Sequence, residues 1–170
     1  MPVPLLTIKE ALKIDYDEDD RELLRLREAA TALIERKTQL GLCVREHVAY
    51  LRKMTEVLFP WHPLVSVSSV KYTSDGTLVT MPATEYWLDK TDRMPVLRFL
   101  ETHEPDDGTM IEVTYTAGYS EIPAELVRAI VSLVEHWYNN PGASTPAALT
   151  ETPLGLQFIL SHLSTGSMIR

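Results

Sequence analysis

Apolar residues recur every third or fourth position over 20–40, at Leu23, Leu26, Ala30, Leu33 and Ile34, with Leu24 and Ala29 widening the stripe. That spacing turns one helix face toward a core and predicts a long helix over 20–40. The period returns over 123–139, where Leu126, Val127, Ile130, Leu133, Val134 and Trp137 make a broad apolar face. Pro123 suits a first helical position, and Asn139-Asn140-Pro141-Gly142 stops the element. Gly41 stands where a left-handed cap would close the first long helix, with Arg36 and Lys37 in its last turn. A shorter helix is predicted over 7–14, opened by Thr7 and Glu10 as a capping box.

Between the long helices the pattern changes to a period of two. Ile111, Val113 and Tyr115 alternate with Glu112, Thr114 and Thr116, the mark of a half-buried strand. Leu64 to Tyr72 reads as another strand, but its apolar parity switches at Ser68-Ser69, which predicts a bulge. Ser74-Asp75-Gly76 predicts a tight hairpin turn into Thr77 to Met81. Shorter strands are expected at Tyr86 with Leu88 and at Val96 to Leu100. Residues 143–153 are rich in Ser, Thr, Pro and Ala and read as a linker. Beyond them Leu154, Leu156, Phe158, Ile159, Leu160 and Leu163 concentrate in an apolar tail too short to fold alone. Such a tail is expected to dock on its own domain or on a partner.

The order of elements predicts an α+β protein. Its expected architecture is a mainly helical core, made of a short N-terminal helix and two long ones, with a β-rich middle segment and a C-terminal docking tail. The expected domain is 1–142, with helices at 7–14, 20–40 and 123–139 and a β-rich insert at 44–118. Residues 143–170 form the linker and tail.

Composition narrows the function. The net charge of −8 and the interleaving of Lys and Arg with acids disfavour a duplex-DNA reader, which needs a basic face. No run of about 18 apolar residues is present, so no membrane span is expected. The N-terminus lacks the basic and apolar regions of a signal peptide. The single cysteine, Cys43, excludes an internal disulfide and reads as a structural thiol.

Candidate chemistry is sparse. His47, His62, His103, His136 and His162 form no helical zinc motif, and His136 reads as a residue at the edge of the core. Asp15, Asp17, Glu18, Asp19 and Asp20 cluster, but the glycine and distal glutamate of a calcium loop are missing. Asp19 or Asp20 is better read as a helix cap, with the other acids favouring the positive helix end. Gly118-Tyr119-Ser120-Glu121-Ile122 lacks the last glycine of a nucleophile elbow. Glu101, Glu104, Asp106 and Asp107 read as solvated turn residues. Tyr72, Tyr86, Trp87 and Tyr115 alternate with acids and Thr rather than with Arg, which favours core or subunit interface over base stacking. No catalytic residue, metal or cofactor is expected.

Four segments together resemble the phage head–tail connector (adaptor, or head-completion) family, which includes prophage and gene-transfer-agent members. They are Thr7-Ile8-Lys9-Glu10-Ala11-Leu12-Lys13-Ile14-Asp15 with the acids that follow, Ala29-Ala30 through Ile34-Glu35 to Gly41, Pro63 to Tyr72 with Asp75-Gly76, and Val113 to Tyr119 with Ile122-Pro123, Ala129-Ile130 and Tyr138. Pro153-Leu154-Gly155-Leu156 with Ile159-Leu160 adds a weaker match. The sequence departs from the family pattern at Leu12 and at Asn139-Asn140-Pro141.

The resemblance implies a structural virion protein and not an enzyme. Its subunits would form a ring, dodecameric in the family, between a portal protein and a tail-attachment (stopper) or tail-completion protein. DNA would pass only as cargo, and no membrane is involved. The implied location is the neck of the virion, with host cytoplasm during assembly. The tail residues Leu154 to Leu163 would dock on the portal or on a neighbouring subunit. A tail-completion or other neck protein of a phage-like particle is the alternative reading.

Overall fold

The apolar stripe over 20–40 becomes a helix that ends two residues early, and the reason lies in its last turn. In the computed structural model, which describes residues 2–54, 56–90, 94–100 and 110–140, this helix, α2, spans Asp20–Thr38. The Thr38 hydroxyl donates to the Ile34 carbonyl at 2.8 Å. Gln39, not Gly41, then takes the left-handed cap at φ 56°, its N–H bonded to the Glu35 carbonyl at 2.8 Å. A non-glycine residue tolerates that conformation at modest cost, and the Glu35 side chain secures the exit by accepting from the Leu42 N–H at 3.0 Å.

The first helix, α1, spans Leu5–Leu12 and is capped by extended Pro4. Thr7 therefore falls inside the helix, and the expected capping box does not form. Pro4 wins because its ring already fixes φ near the value needed at a helix entrance. Lys13 closes α1 in the left-handed region. The last helix, α3, spans Ala124–Asn139 with Pro123 at its cap.

The chain divides into two compact units. One contains α1, α2 and α3, reaching Cys43 and resuming at Ser120. Its interior is built from Ile8 of α1, Leu23, Ala30 and Ile34 of α2, and Leu126, Ile130 and Leu133 of α3, each under 2% exposed. Arg27 lies on the buried face of α2, 7% exposed, and its Nη1 donates to the Val3 carbonyl at 3.2 Å. That bond ties the segment ahead of α1 to α2.

In the other unit, Val44 to Tyr119, the regular elements among the described residues are strands. Its strands are β1 Arg45–Leu51, β2 Val57–Leu58, β3 Leu64–Ser74, β4 Thr77–Thr80, β5 Tyr86–Asp89, β6 Val96–Phe99 and β7 Ile111–Ala117. They form a four-stranded sheet in the order β1-β7-β3-β4 and a three-stranded sheet in the order β2-β6-β5. All pairings are antiparallel. The register of β3 on β7 shifts between Val67 and Ser69, where the parity switch predicts a bulge, and again between Leu64 and Ser66. Asp75 at φ 52° and Gly76 at φ 71° make the two-residue turn between β3 and β4, a geometry that needs positive φ at both positions.

The two sheets share one core. Val57 and Leu97 come from the small sheet, and Val70, Tyr72, Ile111, Val113 and Tyr115 from the large one, with Phe59 and Met81 between elements. Phe59 and Tyr115 pack with ring centroids 4.8 Å apart in a tilted pair, a favourable arrangement of ring quadrupoles.

The expectation of a mainly helical core carried by two long helices is overturned. Among the described residues helix is about 34% and strand about 33%. The middle segment, residues 44–119, forms a compact unit of its own. It buries its own alternating apolar face between two antiparallel sheets, so it supplies a core of its own.

Candidate assembly surfaces

Among the described residues, several side chains that could carry chemistry are engaged in ion pairs, hydrogen bonds or ring stacking. Lys9 reaches from α1 to Asp17 at 2.6 Å and to Asp20 at 2.8 Å. The hydrogen bonds to Asp17 and then Asp20 hold its pKa above the ordinary lysine value. The acidic cluster thus closes on an ammonium from its own chain. Asp19 is the N-cap of α2, as one of the two expected caps, but its carboxylate makes no bond to the helix backbone. It accepts instead from Tyr138 Oη at 2.5 Å, and Tyr138 Oη lies 3.3 Å from Tyr16 Oη. This links the end of α3 to the start of α2. Hydrogen bonding to Asp19, then to Tyr16, pushes the Tyr138 phenol well above its ordinary value.

His47 stacks on Trp61 at 5.4 Å and on Tyr115 at 5.5 Å, an aromatic packing role. His62, before a cis peptide bond to Pro63, has its pKa lowered by burial. His136 is half-buried on α3, at the edge of the core as expected. Cys43 is a free, half-buried thiol. Gly118 ends β7 at φ 124°, its N–H bonded to the Pro63 carbonyl at 2.8 Å, so the elbow-like segment is a strand end. No cluster of metal-ligating residues occurs among the described residues. None of their helices is long and apolar enough to cross a membrane. His103, His162, Glu101, Glu104, Asp106, Asp107 and the docking-tail residues Leu154, Leu156, Phe158, Ile159, Leu160 and Leu163 lie outside the described residues.

What the β unit offers is surface. The face of the large sheet away from the core carries Thr114, Thr116 and Glu112 on β7, beside Ser66 and Lys71 on β3. Lys71 and Glu112 approach to 3.9 Å. At both margins of this polar face stand exposed apolar side chains, Val48 and Tyr50 on β1 and Leu78 on β4, at 44%, 62% and 60% exposure. The small sheet shows a different outer face. Arg98 lies over the Trp87 ring at 5.9 Å, pairs with Glu56, and reaches Asp89 at 3.5 Å. Leu58 is exposed on the same face. An Arg over a Trp ring, with an apolar neighbour, has the composition of an interface anchor.

The aromatic residues read as core or interface divide between the two. Tyr72 and Tyr115 are buried, Tyr86 packs against the core, and Trp87 faces outward. Sequence reasoning missed the Arg98–Trp87 pair. The alternation at 86–89 placed Trp87 on a strand, but only the pairing of β5 with β6 sets Trp87 opposite Arg98.

Three comparisons bear on these surfaces. The sequence model of a family described as head completion protein matches residues 5–146. No curated protein matches the sequence. Among solved structures, a chain from the neck of an empty gene transfer agent (GTA) particle computed with C6 symmetry has a TM-score of 0.77 at 22% identity, covering 99% of this chain and 91% of that one. A chain of the native GTA virion has a TM-score of 0.77 at 21% identity, with the same coverage. A chain from the native GTA neck computed with C12 symmetry has a TM-score of 0.68 at 22% identity, covering 99% and 92%. At these identities the likeness to the solved chains is one of fold.

Proposed function

The chain belongs to the head completion protein family, structural proteins of the phage head–tail neck, and on that footing we propose that it is a connector subunit that closes into a ring between portal and tail. The observation that carries the reading is the family match across residues 5–146, in a chain whose described residues share the fold of GTA neck chains. The residue chemistry is in keeping with a non-enzymatic role. Asp17 and Asp20 bind Lys9, Asp19 binds Tyr138, His47 stacks on Trp61 and Tyr115, and the outward faces carry exposed apolar and aromatic side chains.

In this reading the ring wall uses two different subunit surfaces that fit each other, the heterologous contact a closed ring requires. The acidic balance, 24 Asp and Glu against 16 Lys and Arg, suits a bore through which DNA slides without sticking. Neutralising the acids that line the bore would then slow DNA passage, and unchanged passage would count against that role. The tail residues Leu154, Leu156, Phe158, Ile159, Leu160 and Leu163 dock on the portal or on a neighbour.

Location tests the reading. In purified particles carrying a tagged copy of this chain, gold label is expected at one point, between head and tail. Label spread over the shell, or confined to the distal tail, would overturn it.

A further inference from the structure

The four-stranded sheet of the β unit is open at both ends. Among the described residues β1 has only β7 beside it, and β4 has only β3. Because all three pairings are antiparallel, the first and last of the four strands run in opposite directions. A second copy placed beside the first, with the same face outward, therefore presents its β4 antiparallel to β1. The sheet can continue from copy to copy with no change of pattern.

The side chains at the two edges match. The first half of β1, Arg45-Glu46-His47, is polar, and its second half, Val48-Ala49-Tyr50-Leu51, has no charge. β4, Thr77-Leu78-Val79-Thr80, is four residues long and also has none. Exposed edges in soluble proteins are ordinarily guarded by lysine, proline or a bulge, and neither four-residue stretch has a charge or a proline. The polar middle of the outer face is flanked by exposed Val48 and Tyr50 at one edge and exposed Leu78 at the other. Setting Thr77–Thr80 against Val48–Leu51 brings these together on one face.

We infer that β1 of one copy pairs antiparallel with β4 of the next, with Tyr50 opposite Leu78 and Val48 opposite Thr80, so that the sheet runs on between subunits around the ring. The inference rests on the ring reading above and names the contact that closes it. Pairing of β1 with a second β1 would join two copies about a two-fold axis and leave no open β1 edge to continue a ring. The β1–β4 contact is heterologous and propagates. Strand addition supplies main-chain hydrogen bonds, and the cross-strand pairs set the register.

Cysteine pairing tests the register directly. Cys43 is the sole native cysteine, so Cys43→Ser gives a clean background. Tyr50 and Leu78 are each at least 60% exposed, so replacing them leaves the core intact, which thermal melts would check. Under conditions where the unmodified chain forms rings, oxidation of the Tyr50→Cys, Leu78→Cys double variant is expected to give a ladder of covalent oligomers up to the full ring. Either single variant is expected to give none. A second pair of variants reads the same contact without a disulfide: Tyr50→Glu and Leu78→Lys each lower ring yield, and together restore it. Rings that form without the ladder and ignore both charges would overturn the β1–β4 contact while leaving the ring reading in place. Covalent dimers from Tyr50→Cys alone would overturn it in favour of β1–β1 pairing. An unmodified chain that never forms rings would overturn the ring reading, and this contact with it.

Discussion

Asp19 stands at the N-cap of α2, yet its carboxylate accepts from Tyr138 Oη rather than from the helix. The proton on Tyr138 is thereby favoured in the folded state, above its ordinary value of 10.0. The sign follows from linkage: folded-state protons are retained where the unfolded chain has begun to lose them, so this contribution is full below pH 10 and declines above it. Tyr138→Phe should make the alkaline decline of stability shallower in urea titrations across pH 9–12, measured against the parent. An unchanged slope would mean that the bond contributes nothing. Lys9, held up chiefly by Asp17, and Tyr115, raised by burial, act in the same direction, so the slope should lessen and not vanish. At the β3–β4 turn, a Cβ on Gly76 would meet nothing within 4 Å. Gly76→Ala therefore costs only the left-handed backbone, roughly 1–2 kcal/mol in denaturant titration. Asp75-Gly76 was legible in the sequence because its chemistry is local. The Asp19–Tyr138 bond was not, because 119 residues separate its partners and only the packing of α3 on α2 brings them together.

The strands carry their instructions by alternation, and β7 follows it without a break: Ile111, Val113, Tyr115 and Ala117 are buried, and the residues between them are half-buried. Val113→Asp should unfold or severely destabilise the protein, since it places an unpaired carboxylate in the shared core at a cost of several kcal/mol. Thr114→Asp, one residue on, turns outward and should cost about 1 kcal/mol or less by the same denaturant measurement. Similar losses at both positions would contradict the register. Strands β3 to β7, the Ser68-Ser69 bulge and the helices α2 and α3 could be located from the sequence pattern, whereas β1 and β2 could not. The short helix and the first long helix were placed with the wrong caps. Pro4 and Gln39 end or begin their helices through backbone conformation, and no side-chain pattern announces that. The balance between helix and sheet was misjudged for another reason. Helix length is visible in sequence, whereas a core shared by two sheets depends on which strands pair, and pairs such as β1 with β7 are far apart in the chain.

For the whole molecule, family and fold agree: the chain belongs to the head completion protein family and shares the fold of chains from GTA necks. The assembly surfaces were only half legible. Trp87 could be assigned to a strand, but its outward direction and its neighbours, like the place of Tyr50 on β1, come from sheet order. The apolar tail was visible as composition alone. Its proposed role predicts that deleting 154–170 leaves a subunit with the parent's circular dichroism spectrum and impaired docking. Portal co-sedimentation equal to that of the full chain would remove that role. In the proposed function, copies of this chain close into a ring. The direct measurement is absolute mass in solution, alone and with portal, with negative-stain images of the same samples. The account predicts closed rings of one size, free or seated on portal. A chain that stays monomeric at high concentration and ignores portal would contradict it.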